Sequence, residues 1–308
     1  MLRALALGLL LGWNTLASAQ APSPLNVFTC EPEWAALARI IAPAARVFSA
    51  THALQDPHEI EARPALIAAL RRADLAICTG AGLEAGWLPM LQDRAGNPRV
   101  MPNASGLLMA SDGIALIADA HHHPERGKGH IHAEGNPHFH LDPHRYAEVA
   151  VRITERLAIL DPSGSQAYRE RLAAWQIAWQ AHFQRLKLEA KPLFGLGVVA
   201  EHSSFAYLFR WLDLYQVADL EPIPGVPPTP AHLRSLVEAA RNDPPTAIIQ
   251  TLYQPPQPGQ WLARQLGLPL LRLPSTVTPD GLSSTPEGLL EHLVHSLLRE
   301  LRPPPARP

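Results

Sequence analysis

The sequence has few of the features that would indicate a membrane protein, a nucleic-acid binder or a disulfide-rich scaffold. Its 308 residues include two cysteines and carry a formal net charge of -2. Such a balanced charge creates no field that would attract the chain to nucleic acid or to an anionic membrane. Beyond the N-terminal segment, no apolar run approaches the roughly 18 residues that span a bilayer. We therefore expect a soluble globular protein with one large domain or two of ordinary size.

The N-terminal segment, MLRALALGLLLGWNTLASAQ, has the three parts of a secretory signal peptide. Arg3 provides a basic start, Ala4 to Leu11 form a short apolar run, and Ala17 to Ala19 match a small-x-small cleavage site. A buried N-terminal helix is the less favoured alternative. The pattern predicts a signal peptide over residues 1–19, a mature chain that begins near Gln20, and export to the periplasm.

The two cysteines, Cys30 and Cys78, each follow a short β-like run, LNVFTC and LAICTG. If these runs are neighbouring strands of a parallel sheet, the two sulfurs lie near the same edge, and an oxidising compartment permits a disulfide. The sequence leaves this disulfide and a pair of buried thiols as open alternatives, because the geometry decides between them. The wide spacing does not predict a zinc site, since no C-x-x-C motif is present.

Twice along the chain, short β-like runs alternate with amphipathic helical patterns. The first set includes LNVFTC, ARVFSA and DLAICTG, and the second includes LFGLGVVAEH, TAIIQT and LPLLRLP. Such alternation indicates parallel sheets flanked by helices, and ligands of these sheets bind beyond the carboxyl ends of the strands. The sequence therefore predicts an α/β protein with two lobes and a cleft between them.

A long mixed polar and apolar segment follows Gly164 and lies between the two sets of strands. Its apolar residues recur every three or four positions, which predicts one helix of about 25 residues, roughly 38 Å long. We expect an N-terminal lobe over residues 20–160, a linking helix over 161–191, a C-terminal lobe over 192–301 and a frayed tail over 302–308.

Three isolated histidines stand where the pattern places strand ends or cleft loops. His58 follows the second strand, His138 precedes a helix, and His202 ends a strand of the second set. Imidazole is the commonest protein ligand for zinc and similar ions. Each histidine alone is weak support, since most single histidines are structural or on the surface. His140 is the alternative to His138, because both would face the same side of an extended segment.

More than half of the 15 histidines lie between residues 121 and 144, many of them in a segment rich in glycine and charge. We interpret residues 119–136 as a loop that collects or senses metal with low affinity. A solvated loop that binds metals only adventitiously is the alternative. The accessory histidines of this loop are His121, His122, His123, His130 and His132.

Three segments together resemble the ZnuA/TroA-like zinc and manganese binding proteins of ABC importers. They are DPHEIEARPALIAALRRADLAICTGAGLEAGWLP, GNPHFHLDPHRYAEVA and VAEHSSFAYLFRWLDL. The resemblance covers nearly the whole mature chain and implies a two-lobed fold with one long joining helix. It also implies that His58, His138 and His202 bind the metal, whereas Glu84, in GLEAGWLP, matches a structural position.

This sequence does not match the fourth metal ligand of the family that it resembles. Many members place an aspartate on the loop after a late strand, where this chain has Ser275 or Thr276, and Asp280 is the nearest carboxylate. Asp280, a water molecule or a loop histidine could complete the site. Glu201, beside His202, is a further candidate, although neighbours along a strand point to opposite sides.

Three imidazoles with a carboxylate or an open fourth position suit zinc, whereas manganese prefers more oxygen ligands. We therefore predict a zinc receptor, with manganese or another divalent metal as alternatives. The resemblance implies a membrane permease with its ATPase as partner, and we expect a monomer without enzymatic activity. A zinc hydrolase and a periplasmic metal chaperone or buffer are the alternatives, although no HExxH motif supports the hydrolase.

Overall fold

A computed structural model describes residues 23–118 and 134–301 of the protein. The predicted signal peptide, the five accessory histidines of the His-rich loop and the C-terminal tail lie outside the described residues. Within the described ranges, no helix has the length and apolarity needed to cross a bilayer.

The first sheet has four parallel strands in the order β2-β1-β3-β4. Three helices accompany it, and each has a proline in its first turn, where the missing N–H costs no hydrogen bond. The elements are β1 (Asn26–Thr29), α1 (Pro32–Ile41), β2 (Arg46–Ser49), α2 (Pro64–Arg72), β3 (Leu75–Cys78), α3 (Leu88–Ala95) and β4 (Leu107–Met109).

Two helices that pack against each other connect the sheets. They are α4 (Pro143–Leu160) and α5 (Ser165–Glu189). The second of these has 25 residues. Its buried side chains repeat every three or four residues, and the indole of Trp179 donates a 2.8 Å hydrogen bond to the carbonyl of Pro143 at the start of α4. These buried side chains are Leu172, Trp175, Trp179, Phe183 and Leu186.

The second sheet repeats the topology of the first, with four parallel strands in the order β6-β5-β7-β8. Its elements are β5 (Gly197–Ala200), α6 (Ala206–Leu212), β6 (Tyr215–Asp219), α7 (Pro230–Ala239), β7 (Ile248–Thr251), α8 (Gln257–Leu266), β8 (Leu270–Leu273) and α9 (Pro286–Glu300). Short 3₁₀ helices occur at Pro98–Val100, Phe139–Leu141, Pro162–Gly164 and Lys191–Leu193.

One hydrophobic core runs between the two sheets, and each sheet has a smaller core on its outer face. The central core extends from Val27 in β1 through Trp175 in α5 to Leu297 in α9. Because protein interiors resist deformation, this continuous packing fixes the two lobes against the linking helices. The predicted fold class, two lobes of parallel sheet joined by one long helix, is therefore confirmed.

The structure joins Cys30 and Cys78 in a disulfide. Cys78 ends β3, and Cys30 directly follows the adjacent strand β1, so that their Cα atoms are 4.7 Å apart. This separation is the spacing of neighbouring strands in a sheet. The strand pairing, which the sequence could only suggest, brings the two sulfurs together.

Candidate metal centre

The imidazoles of His58, His138 and His202 meet between the two sheets. One ring nitrogen from each lies within 4.8 Å of the others, and the ring centroids are 5.4 to 5.7 Å apart. All three residues are buried, at 8%, 3% and 3% exposure. Nitrogens bound to one tetrahedral zinc ion at 2.0–2.1 Å would be roughly 3.4 Å apart. The cluster therefore needs only small side-chain movements to surround a single cation.

Each histidine comes from a different connection in the fold. His58 lies between β2 and α2, His138 immediately precedes the 3₁₀ helix Phe139–Leu141, and His202 lies between β5 and α6. His202 has a left-handed backbone with φ of 66°, which costs a residue with a side chain about 1 kcal/mol or more. Its N–H donates a 3.0 Å hydrogen bond to Asp219 at the end of the paired strand β6, and this bond stabilises the turn.

Two carboxylates hold the rings of His58 and His202. Asp56 Oδ1 lies 2.6 Å from His58 Nδ1, and Glu221 Oε2 lies 3.2 Å from His202 Nδ1. An ionised carboxylate only accepts hydrogen bonds, so each contact places the ring proton on Nδ1. The lone pair is then on Nε2, the tautomer of many metal-bound histidines.

Asn136 positions His138 and links it to the opposite lobe. Its side-chain oxygen accepts a 2.8 Å hydrogen bond from the N–H of His138, and its side-chain nitrogen donates a 3.0 Å bond to the carbonyl of Ser203. The Tyr207 hydroxyl of α6 donates a 2.9 Å bond to the carbonyl of Asn136 and accepts one from the N–H of Ile117. These contacts tie two of the three histidine-bearing connections together.

The supporting residues Asp56, Asn136, Asp219, Glu221 and Tyr207 were not predicted from the sequence. Two of them carried a local signal. Asp56-Pro57-His58 and Asn136-Pro137-His138 share an Asx-Pro-His pattern, and in both the Asx oxygen accepts a hydrogen bond from the histidine N–H. This Asx turn is a local preference of Asp and Asn side chains.

His140, the alternative to His138, does not join the cluster. Its Nε2 lies 2.7 Å from the carbonyl oxygen of Ser275, and its Nδ1 lies 3.4 Å from Glu33 Oε1. The expectation that His138 and His140 face the same side assumed an extended segment. The chain instead forms a helical turn after His138, so residues two apart diverge, and His140 contacts the loop after β8.

Asp280, the tentative fourth ligand, is also not part of the group of metal-ligating atoms around the three histidines. It lies in an exposed turn, where its carbonyl accepts a 2.7 Å hydrogen bond from the Thr278 hydroxyl. The loop after β8 is held by Thr276, whose hydroxyl donates to Glu33 on α1. That contact holds the start of the loop against the first lobe, and the carboxylate of Asp280 stays at the surface.

An acidic cavity of about 420 Å³ adjoins His58 and His202. Its lining includes Asp56, Glu201 and Glu221. Burial raises the pKa of Glu201 to about 7, with the neighbouring acids Glu221 and Asp219 adding to the effect and a hydrogen bond from Gln250 opposing it. Clustered carboxylates with few cations nearby favour the entry of positive charge. Glu201 itself is bonded to Gln250 and is not in the group of metal-ligating atoms.

The fold and the buried histidine cluster together define a two-lobed α/β protein with a candidate divalent-metal site in its cleft. A family model described as "Zinc-uptake complex component A periplasmic" (ZnuA) matches residues 27–299. The protein therefore belongs to this family, and the resemblance noted in its motifs is confirmed.

The individual relatives are distant. The high-affinity zinc uptake system protein ZnuA of Yersinia pestis is 26% identical over 191 residues, which are 58% of this chain and 60% of that protein. The chain thus matches less than two thirds of that relative. A zinc-bound deletion mutant of ZnuA superposes with a TM-score of 0.76 at 22% identity, covering 92% of this chain and 100% of the other.

A second group of solved structures shares the fold at lower identity. The manganese-bound periplasmic metal binding protein of Candidatus Liberibacter asiaticus has a TM-score of 0.70 and 19% identity, covering 89% of this chain and 98% of the other. At such identities the likeness establishes the fold. None of these relatives supports the alternative of a zinc hydrolase.

Proposed function

We propose that the protein is a periplasmic receptor that binds zinc in the cleft between its lobes and delivers it to an ABC permease with its ATPase. The observation that carries this proposal is the convergence of His58, His138 and His202, buried and within 4.8 Å of one another. Three distant segments place imidazole nitrogens around one point, an arrangement that family membership over residues 27–299 supports.

Zinc is the metal that this donor set fits best. Three neutral imidazoles with an open fourth position match tetrahedral zinc, whereas manganese and calcium take more oxygen ligands. The names of the relatives mention zinc, manganese and cadmium. Among the described carboxylates, none joins the three histidines as a ligand in this arrangement. We therefore propose a water molecule, or movement of a nearby carboxylate, at the fourth position.

The surrounding carboxylates serve capture in two ways. Asp56 and Glu221 raise the basicity of the imidazoles that they contact, an effect that strengthens binding of a metal. The acidic cavity beside His58 also offers a path along which a cation is attracted before it reaches the nitrogens. No chemical step follows binding, and the protein acts as a carrier without enzymatic activity.

The lobe arrangement sets how the metal enters and leaves. We propose lobes at residues 20–160 and 192–301, with the linking helix between them. The continuous core through α5 resists large hinge motion, so release would depend on the connections that bear His58, His138 and His202. Because each of these connections is anchored by its own Asx or carboxylate contact, one of them can move without unfolding either sheet.

The test is metal titration of purified protein and of His58→Ala, His138→Ala and His202→Ala variants. Loss of one ligand should weaken zinc binding by more than the roughly 10–100-fold that loss of an outer partner causes. His144→Ala is the matched control, because His144 follows an Asx-Pro pair in the same way, with its N–H bonded to Asp142 Oδ1 at 2.9 Å, but is exposed on α4.

Competition with a chelator and elemental analysis give the affinity and the stoichiometry. Zinc affinity should also fall as the pH is lowered through the titration range of histidine, since protons compete for the same nitrogens. If all four alanine variants bind zinc equally well, the cleft is not the metal site and the receptor assignment is wrong.

A further inference from the structure

A second group of metal-ligating atoms lies apart from the histidine cluster. The sulfurs of Cys30 and Cys78 and a carboxylate oxygen of Glu84 are within 4.8 Å of one another, and all three residues are buried. Glu84 comes from the turn after β3, and its carboxylate folds back over the strand end. It accepts hydrogen bonds from the N–H groups of Thr79, at 2.6 Å, and Gly80, at 3.0 Å.

Glu31 adds a second carboxyl group to this pocket. One oxygen of Glu31 accepts a 2.8 Å hydrogen bond from the Thr79 hydroxyl, and no donor reaches its other oxygen within the described chain. The carboxyl groups of Glu31 and Glu84 contact each other, and both residues are 2% exposed. The pocket beside the two sulfurs therefore holds two buried carboxyl groups.

We propose that Cys30, Cys78 and Glu84 form a second divalent-metal site when the cysteines are thiols, with a carboxyl oxygen of Glu31 available as the fourth ligand. Two thiolates and two carboxylate oxygens can surround a thiophilic ion such as zinc or cadmium tetrahedrally and without water, as in closed structural zinc sites. Thiolates bound to zinc at 2.3 Å are roughly 3.8 Å apart, and the 4.7 Å between the Cα atoms of the cysteines allows this separation.

A thiol reductant supplies the electrons that open the disulfide. Two reductant thiols open the disulfide, become a disulfide themselves and leave Cys30 and Cys78 as thiols. The metal cation then displaces to solvent the two thiol protons and any proton that the ligating carboxyl groups hold. Oxidation reverses the sequence, because a sulfur in the disulfide no longer offers a thiolate to the metal. Metal and disulfide therefore compete for the same two sulfurs.

Burial decides when this competition takes place. Both cysteines have 0% exposure, so neither an oxidant nor a reductant reaches the sulfurs in the folded protein. A newly made chain carries both cysteines as thiols, and the outcome is set as β1 and β3 pair. A chain that folds around metal before it is oxidised would retain a dithiolate site, whereas a chain oxidised first would bind metal only at the histidines.

The experiment compares the two redox forms of the full chain. One sample is unfolded in denaturant with a thiol reductant and refolded with zinc under anaerobic conditions, and the other is treated identically without reductant. After gel filtration, elemental analysis should find one further equivalent of zinc in the thiol form. Refolding with cobalt should give a thiolate-to-metal charge-transfer band in the thiol form alone.

Three variants separate this site from the histidine cluster. The double variant Cys30→Ser/Cys78→Ser should gain no metal under reduction, and Glu84→Gln should weaken the extra site at least about tenfold while both sulfurs remain. His202→Ala should keep the extra equivalent in the thiol form, so a failure of the histidine site and a failure of this one are distinguishable.

Equal zinc content in the two redox forms would overturn the proposal. So would an extra equivalent that survives in the double cysteine variant, because the ion would then be bound elsewhere. Circular dichroism checks that the reduced chain folds. Failure to fold both with and without zinc would also count against a site in the thiol form.

Discussion

Removing the hydroxyl of Tyr207 should lower the free energy of unfolding, and the size of the loss can be estimated from the hydrogen bonds that the hydroxyl makes. The side chain is 1% exposed, and its hydroxyl makes two 2.9 Å hydrogen bonds, to the carbonyl of Asn136 and from the N–H of Ile117. Ile117 and Asn136 lie on either side of the His-rich segment, and Asn136 positions His138. Tyr207→Phe keeps the ring and its packing and deletes only the oxygen.

The expected loss in the free energy of unfolding is about 2 kcal/mol. Each hydrogen bond contributes about 0.5–1.5 kcal/mol net, and a buried carbonyl left without a donor adds to the cost. Tyr207→Phe would leave the buried carbonyl of Asn136 without a donor, because water does not reach it easily. For a protein of this size, such a loss lowers the melting temperature by roughly 3–4 °C.

Urea unfolding of the metal-free protein measures the effect as a shift in midpoint without a change in slope. Tyr215→Phe is the matched control, since its hydroxyl contacts Asp243 at a long 3.3 Å and the residue is 45% exposed. That variant should stay within about 0.5 kcal/mol of the parent. A Tyr207→Phe protein as stable as the Tyr215→Phe control would refute the view that this hydroxyl anchors the segment.

Two further predictions concern carboxyl groups. Burial raises the pKa of Glu84 from 4.5 to about 7 and that of Glu31 also upward. The folded state therefore keeps protons that the unfolded chain releases above about pH 4.5, so stability should fall as pH rises from there through about 7. Glu31→Gln, which resembles the protonated acid, should flatten this dependence in urea titrations. Asp280→Asn should leave zinc affinity unchanged in a chelator competition, because the residue is exposed and is not in the group of ligating atoms around the histidines. A large loss of affinity would show that Asp280 takes part in binding.

The fold was predictable because local patterns and sheet topology agree. Short β-branched runs alternating with helical segments indicate parallel sheets, and the two sheets with identical strand order follow that pattern. The helix α5 was predictable from the three- and four-residue spacing of its large apolar residues, five of which form its buried face. Helices and strands are governed by residues near each other in sequence, so their signals are readable without tertiary information.

The histidine cluster was only partly predictable. The Asx-Pro-His pattern occurs at His58, His138 and also His144, and all three make the same local hydrogen bond. Local geometry therefore does not distinguish the buried histidines of the cluster from the exposed His144 in the first turn of α4. The family resemblance identified the first two together with His202, whereas the supporting Tyr207 and Glu221 gave no signal, since their partners are distant in sequence or on another connection.

Two further ligand candidates show the same limit. His140 and Asp280 are suitable ligands by residue type, but neither is in the group of ligating atoms formed by the three histidines. His140 lies in a helical turn, and Asp280 lies in an exposed loop. The direction of a side chain two or five residues from a site depends on backbone angles in irregular segments. Those angles are set by contacts such as Thr276 with Glu33 between the lobes, and these contacts exist only after folding.

The sequence by itself determined the elements of this protein, the order in which they occur and the residue types able to bind a soft or borderline divalent metal. These properties depend on hydrophobic periodicity and on side-chain chemistry, which act over a few residues. Only the tertiary structure decided which of these residues meet. The convergence of His58, His138 and His202, and of Cys30, Cys78 and Glu84, follows from strand pairing and from loops that cross between sheets, because such contacts join positions far apart along the chain.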